Sequence, residues 1–194
     1  LFIELTKEIA KRNHLDVVIS VAPPKRTLID FAGRQLDGYF PSADGQVSHA
    51  LEKSEPFYYK KDFIFQRSPA ILKSIQDLAG KTVGLTAGYG YSEALIQAAD
   101  VKFEYAQTDV LNIRKLALGR LDAFIIEEHS GQAAVHQSGE QGIAYDARWP
   151  IAVLDIYYAF QATPKGKKLA RIFSDTIHQM QKDGSLEKIL AGGH

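Results

Sequence analysis

A short segment rich in glycine and tyrosine, Gly88-Tyr89-Gly90-Tyr91-Ser92, follows an apolar run and precedes a helical pattern. Glycine allows backbone N–H groups to converge on one point, and the beginning of a helix favours negative charge. The segment therefore predicts a loop that binds an anionic group. It is not the dinucleotide-binding fingerprint, because position 93 is a glutamate where a third glycine would fall. The alternative is a tight turn that binds no ligand.

Glu127 is a second candidate for binding chemistry. It lies five residues after Asp122, at the end of an apolar run that predicts a buried strand. Ligands of α/β sheets bind beyond the carboxyl ends of the strands, so a carboxylate at this place is expected to face a crevice. The alternative is a solvated acid beside Glu128.

Other chemistries find little support in the residue pattern. His129 and His136 could share a helix face, but no third ligand follows with the spacing of a metal site. The absence of cysteine excludes disulfides and thiol catalysis. The chain has none of the motifs of serine hydrolases, zinc proteases or phosphate-binding loops. We therefore expect no metal and no cofactor.

Charge and hydropathy narrow the range of partners. The 23 basic and 23 acidic residues give a formal net charge of zero, and no basic run is present, so a nucleic-acid partner is not expected. No apolar run approaches the 18 residues or so of a membrane-spanning helix.

The elements that position these residues alternate between helix and strand. The first part predicts a helix over 1–13, a strand over 16–21, a helix from about Thr27 and a strand over 36–40, with a break at Pro23-Pro24. This order indicates an α/β fold with parallel pairing.

A second α/β unit follows in the sequence. It predicts strands over 82–85, 103–106 and 121–126, and helices over 92–99 and from Asp109, the expected N-cap, to a stop at Gly119. The chain returns in a strand over 156–160, and Thr163-Pro164 begins an amphipathic helix. Two crossings, near 63–67 and 158–163, thus enclose the second unit and predict a hinge. Lobe 1 is expected to comprise 1–65 and 160–194, and lobe 2 to comprise 66–159.

Several short motifs follow one another along the chain. Each is weak evidence for a family by itself, but their joint order and spacing are specific. They are Arg26 with Leu36-Asp37, Ser54-Glu55-Pro56 before two aromatic residues, Asp77-Leu78 with Gly80-Lys81, Leu118-Gly119-Arg120-Leu121-Asp122-Ala123, and Asp183-Gly184-Ser185-Leu186. In these motifs the chain resembles the type II periplasmic solute-binding proteins of family 3, whose usual members bind amino acids. The resemblance covers nearly the whole chain. The family's first strand is missing from it or lies upstream.

The resemblance implies a two-lobed fold that closes on a small solute between its lobes. It implies a periplasmic or extracytoplasmic location and a monomer. The partner would be an ABC transporter permease or the membrane domain of a receptor.

The resemblance also implies roles for single residues. The loop at Gly88–Tyr91 would hold the ligand's carboxylate, and Glu127, where the family usually has aspartate, would hold its ammonium group. The family's carboxylate-binding arginine stands seven residues before Ser54, where this chain has Val47. Valine cannot make the bidentate contact of arginine. We therefore expect a non-standard solute, such as an aromatic compound, an amine or a modified amino acid.

The candidate binding residues come from both lobes. Arg26 could supply positive charge from another direction or be an exposed residue at a helix start, and Phe40 could line the pocket or pack in the core. Aromatic side chains in the set suit a ring or an apolar ligand. The full set is Pro24, Arg26, Tyr39, Phe40, Ser42, Thr86, Tyr89, Gly90, Tyr91 and Glu127.

Two other functions remain open from the sequence. One is an enzyme similar to cyclohexadienyl dehydratase, in which Glu127 would act as a general acid, although we expect a binding protein. The other is a degenerate lobe pair that serves as a sensor or protein-interaction module.

Overall fold

The computed structural model describes residues 1–192, which fold into two compact units. One unit contains residues 1–59 and the chain from Asp155 onward, and the other is Lys60–Leu154. The strands are β1 (Gly38–Ser42), β2 (Leu51–Lys53), β3 (Tyr58–Arg67), β4 (Thr82–Thr86), β5 (Lys102–Ala106), β6 (Ala123–Glu127), β7 (Ile143–Ala144) and β8 (Ala152–Gln161). The helices are α1 (Phe2–Arg12), α2 (Pro24–Ala32), α3 (Glu93–Ile96), α4 (Asp109–Ala117), α5 (Glu128–Ser138), α6 (Pro164–Lys182) and α7 (Ser185–Ala191).

The first unit is built on the carboxyl-terminal part of β8. Both β1 and β2 pair with it in antiparallel orientation, with Gly38 opposite Phe160 and Lys53 opposite Ala159. A cluster of buried residues covers one part of this sheet. Its members are Phe31, Tyr39, Tyr157 and Ala159, with Val47 and Leu51 packed at its margin.

Helix α6 begins where the sequence predicts. The Thr163 hydroxyl accepts a hydrogen bond from the backbone N–H of Gly166, and Pro164 is the first helical residue. The helix buries an apolar stripe that includes Phe173, Ile177 and Met180. Phe173 meets Tyr158 edge-on, with ring centroids 4.8 Å apart. The predicted amphipathic helix is confirmed.

The second unit contains a mixed sheet in the order β3–β6–β4–β5. Strand β6 is antiparallel to β3 and parallel to β4, which in turn is parallel to β5. The central strands β4 and β6 are apolar and buried on both faces. One buried cluster includes Phe65, Leu116 and Phe124, and the other includes Ile64, Leu85 and Ile125.

The strand predicted over 16–21 is wrong. These residues have no regular structure, and the side chains of Val18 and Val21 are 97% and 83% exposed. β-branched residues favour strands when they pack on a sheet face, and without that packing their preference is weak. The parallel pairing predicted for the first part fails with it, because β1 and β2 pair antiparallel to β8.

Candidate ligand-binding site

The loop that joins β4 to α3 keeps its predicted position but not its predicted helix. The Ser92 side chain caps α3 by accepting a hydrogen bond from the backbone N–H of Leu95. Helix α3 spans only four residues, whereas the sequence predicts eight over 92–99. So short a helix aligns few peptide dipoles and gives an anion little help. The predicted anion site therefore depends on single hydrogen-bond donors of the loop.

The backbone donor at the end of β4 already has a partner inside the protein. The N–H of Thr86 donates to the phenol oxygen of Tyr91 at 2.7 Å. Tyr91 is buried, and burial raises the pKa of its phenol. The Asn112 side chain donates to the Leu85 carbonyl and the Thr86 hydroxyl, which fixes the end of the strand.

The hydroxyl donors of the loop are also taken, and their acceptor is a carboxylate of the chain. Thr86 Oγ1 donates to Asp109 Oδ1 at 2.6 Å, and the Tyr89 hydroxyl donates to Asp109 Oδ2 at 3.0 Å. Burial and the charge of Asp109 both raise the pKa of Tyr89. The loop thus already holds an anionic group, and it comes from the protein.

The sequence predicts Asp109 as the N-cap of α4, and this prediction is wrong. Asp109 is therefore free for the contact with Thr86 and Tyr89. Thr108 takes that place, and its hydroxyl accepts a hydrogen bond from the backbone N–H of Leu111. Asp109 is the first residue inside the helix, from which its carboxylate reaches the loop after β4. A threonine followed by an aspartate offers two residues that favour the N-cap, and the sequence alone does not decide between them.

Glu127 lies where the sequence predicts, at the carboxyl end of β6, and it has a structural task there. Its carboxylate accepts hydrogen bonds from the backbone N–H groups of His129 and Ser130 and from the Ser130 hydroxyl. It therefore caps α5 and remains half-buried. The neighbouring Glu128 binds the Tyr145 hydroxyl instead. A carboxylate has about four acceptor positions, so Glu127 retains capacity for a cation.

Asp62 is a further acidic residue of this region that the sequence-based set lacks. It stands opposite Glu127 in the β3–β6 pairing and is fully buried. Lys60 Nζ lies 3.2 Å from Asp62 Oδ1 in an ion pair. Burial raises the pKa of Asp62 to about 6, while Lys60 acts to lower it and Glu127 acts to raise it. The signal in the sequence was an aspartate directly before the apolar run 63–65, two residues after a lysine and hence on the same strand face.

In the first unit, two predicted residues form a hydrogen bond with each other. The Ser42 hydroxyl donates to the Tyr39 hydroxyl at 2.9 Å, and both side chains are buried. Tyr39 also packs edge-on against Phe31, with centroids 4.8 Å apart. Phe40 packs on the Tyr158 ring at 5.1 Å, which agrees with its alternative interpretation as a packing residue.

Helix α2 carries the other two predicted residues of this unit. Pro24 is its first residue and is exposed. The Arg26 side chain is 63% exposed and forms an ion pair with Asp30 at 2.9 Å, one helical turn later. Val47 packs at the margin of the apolar cluster around Phe31, which gives it a packing role.

No group of three or more potential metal ligands occurs within residues 1–192. Over the same residues, no helix is both long and apolar enough to cross a membrane.

No model of a protein family matches the chain, but comparison with known proteins finds similar sequences and similar structures. A probable amino-acid-binding protein of Bacillus subtilis, YxeM, is 23% identical over 94% of this chain and 76% of its own length. The L-cystine-binding protein TcyJ of Escherichia coli K12 is 25% identical over 96% of this chain and 71% of its own length. Among solved structures, a histidine kinase sensor domain similar to periplasmic binding proteins superposes with a TM-score of 0.82, at 20% identity, over 98% of this chain and 83% of its own.

The chain has the type II periplasmic-binding-protein fold. The resemblance to solute-binding proteins that the sequence predicts is thereby confirmed, and the curated relatives are named as amino-acid-binding proteins. These relatives are binding proteins and lend no support to the dehydratase alternative. Within this fold, the loop after β4 and Glu127 form the candidate ligand-binding surface of the second unit, and the buried Asp62 stands opposite Glu127 in the sheet.

Proposed function

We propose that this chain binds a small solute with a cationic nitrogen and without a free α-carboxylate, outside the cytoplasm, for uptake through an ABC transporter. Two relatives are named as amino-acid-binding proteins, and their names support the proposal that the ligand is small and contains nitrogen.

The observation that carries the proposal is the position of the Asp109 carboxylate. It occupies the hydroxyl donors of Thr86 and Tyr89, to which a ligand's carboxylate would otherwise bind. A second anion there would lack these donors and would face the charge of Asp109. Two negative charges in contact repel each other, and this repulsion costs more free energy where the side chains are partly buried.

The charges around the loop favour a cation. Three carboxylates lie on this part of the second unit, those of Asp62, Asp109 and Glu127, and Lys60 is the ammonium group among them. The Tyr89 and Tyr91 side chains add aromatic rings, which attract cations through their faces. Carboxylates together with aromatic rings are groups with which proteins bind amines.

The first unit supplies no arginine at the place where the family has one. Val47 is part of an apolar cluster, and Arg26 on α2 is already paired with Asp30. A ligand carboxylate would lose a bidentate, charge-assisted contact worth about 1.5–3 kcal/mol per hydrogen bond.

A screen of matched pairs tests the proposal. The twenty amino acids are compared by thermal shift with amines that lack only the carboxylate: tyramine, histamine, agmatine and cadaverine. We expect saturable stabilisation by at least one amine and weaker stabilisation by its amino-acid counterpart. Stabilisation by amino acids alone would refute the proposal, and no shift from any small molecule would favour a protein-interaction module.

A sensory role is the second candidate, and the structural likeness to a histidine kinase sensor domain favours it. In both roles we propose that β3 and β8, within which the chain passes from one unit to the other, act as hinge strands. Uptake of the labelled ligand by cells that lack the protein separates the roles. Loss of uptake supports transport, and unchanged uptake supports sensing.

A further inference from the structure

The ammonium group of Lys60 lies in a small site of its own. Its Nζ donates to the Gly90 carbonyl at 2.8 Å, lies 3.2 Å from Asp62 Oδ1 and stands 5.3 Å from the centroid of the Tyr91 ring. The Lys60 side chain is only 15% exposed. A carboxylate, a carbonyl and an aromatic face are the groups with which proteins recognise primary amines.

Asp62 is poorly satisfied by this lysine. It is fully buried, yet neither carboxylate oxygen accepts a hydrogen bond from any residue in 1–192. A buried ion pair is stabilising only when further hydrogen bonds satisfy the remaining lone pairs. The pair therefore contributes little as a structural element, and Asp62 retains acceptor capacity for another cation.

The surroundings of Lys60 argue against a role in binding an anion. Its charge is balanced by Asp62, and Glu127 stands opposite Asp62 in the sheet. Asp109, which accepts hydrogen bonds from Thr86 and Tyr89, adds a third carboxylate to this region. A lysine that replaced the missing arginine would need to present an uncompensated charge, and this one does not.

We propose that Lys60 is an internal substitute for the ligand: its ammonium group occupies the subsite of Asp62, Gly90 and Tyr91 that the ligand's primary ammonium group takes on binding. The inference rests on the proposed function for the identity of that ligand. Lysine has a flexible four-carbon stem, so its head group can leave the subsite without a change in the strand. The ligand then replaces one ammonium group by another, and no uncompensated charge is buried.

Chemical rescue tests the subsite without any knowledge of the natural ligand. Lys60→Ala removes the ammonium group and its stem, and n-butylammonium chloride supplies both in trans. We expect a saturable rise in the melting temperature of Lys60→Ala that is larger than that of the wild type, in which the Lys60 ammonium group competes for the subsite. Sodium chloride at equal ionic strength and 1-butanol control for salt and for the alkyl chain.

Two further variants make the rescue specific. Lys61→Ala removes an exposed lysine from the next position of β3 and should show no rescue. Adding Asp62→Asn to Lys60→Ala should abolish the rescue, because the carboxylate that holds the amine is gone. Should Lys60→Ala fail to fold, Lys60→Met keeps the stem, and methylammonium chloride is then the probe.

The outcomes separate this inference from the proposed function. Rescue of Lys60→Ala supports the subsite even where the wild type binds no amine, a result that would refute only the proposed function. Amine binding by the wild type without rescue of Lys60→Ala would overturn the inference alone. Loss of affinity for a carboxylate-bearing ligand in Lys60→Met, without rescue, would make Lys60 an anion-binding group and also overturn it.

Discussion

The Asp109 carboxylate accepts a hydrogen bond from the Thr86 hydroxyl at 2.6 Å, so this hydroxyl at the end of β4 already has an acceptor inside the protein. The other oxygen of this carboxylate accepts a hydrogen bond from the Tyr89 hydroxyl at 3.0 Å. An acid from the start of α4 thus occupies both hydroxyl donors, and we propose that it takes the place of a ligand's carboxylate.

Replacing Asp109 by alanine should shift the preference of the site toward carboxylates. The Thr86 and Tyr89 hydroxyls lose their acceptor and become available, and one negative charge disappears. We expect the ratio of amine affinity to amino-acid affinity to fall at least tenfold, about 1.4 kcal/mol. Calorimetry with a matched pair measures this ratio. Glu104→Gln, the same charge change on β5, is the control and should leave it unchanged.

Glu127 should prove to be a structural and a binding residue at once. Glu127→Ala removes the acceptor for two backbone N–H groups at the start of α5, and loss of an N-cap costs about 0.5–2 kcal/mol. Glu127→Gln keeps an acceptor oxygen but loses the charge. We expect the glutamine variant to unfold at higher denaturant concentration than the alanine variant, while both bind amines more weakly. Equal amine affinity in wild type and Glu127→Gln would remove Glu127 from the site.

Asp62 should make the protein less stable as the pH rises from about 4 to about 6. Its pKa is about 6 in the folded protein and near 3.8 in the unfolded chain, so the folded state binds the extra proton in this range. The free energy of unfolding decreases with rising pH wherever the folded state binds more protons than the unfolded state. A pKa difference of about two units corresponds to a total decrease of roughly 3 kcal/mol.

Asp62→Asn should abolish that pH dependence. The free energy of unfolding of this variant relative to the wild type should therefore increase between pH 4 and pH 7, as measured by urea denaturation at each pH. Asp155→Asn, at an exposed position of β8, is the matched control. A constant difference between variant and wild type across this range would contradict the assignment.

Gly84→Ala should destabilise the second unit and disturb the end of β4. A Cβ atom at this position would lie 2.5 Å from Leu121 Cδ1 and 2.8 Å from Asn112 Oδ1. Asn112 also holds Thr86. Overpacking of a core typically costs about 1–3 kcal/mol. Gly33→Ala, where the nearest atom is 3.4 Å from the new Cβ, should change the melting temperature little.

Much of the fold could be predicted from the sequence because its local signals agree with one another. Thr163-Pro164 begins α6, and Gly119, with φ of +72°, follows the end of α4 as expected for a C-terminal glycine. The apolar run before Glu127 forms a buried strand. The strand predicted over 16–21 failed because a strand also needs a neighbour, and sequence preference does not supply one.

The chemistry of the site was harder to predict, since it depends on contacts between distant residues. Asp109 reaches Thr86 across 23 positions of sequence, and Asp62 meets Glu127 only through strand register. Resemblance to the family indicated the loop and Glu127, and the substitution at Val47 indicated an unusual ligand. The resemblance could not indicate that the hydroxyl donors of Thr86 and Tyr89 are occupied by the carboxylate of Asp109.

The affinity ratio within a matched pair of ligands tests most directly whether the site discriminates against an α-carboxylate. Calorimetry at pH 7 compares an amine from the screen with the amino acid that differs from it only by the α-carboxylate. We expect a dissociation constant at least tenfold lower for the amine, because the carboxylate would meet Asp109 without a donor to bind. Submicromolar binding of the amino acid with weaker binding of its amine would contradict it.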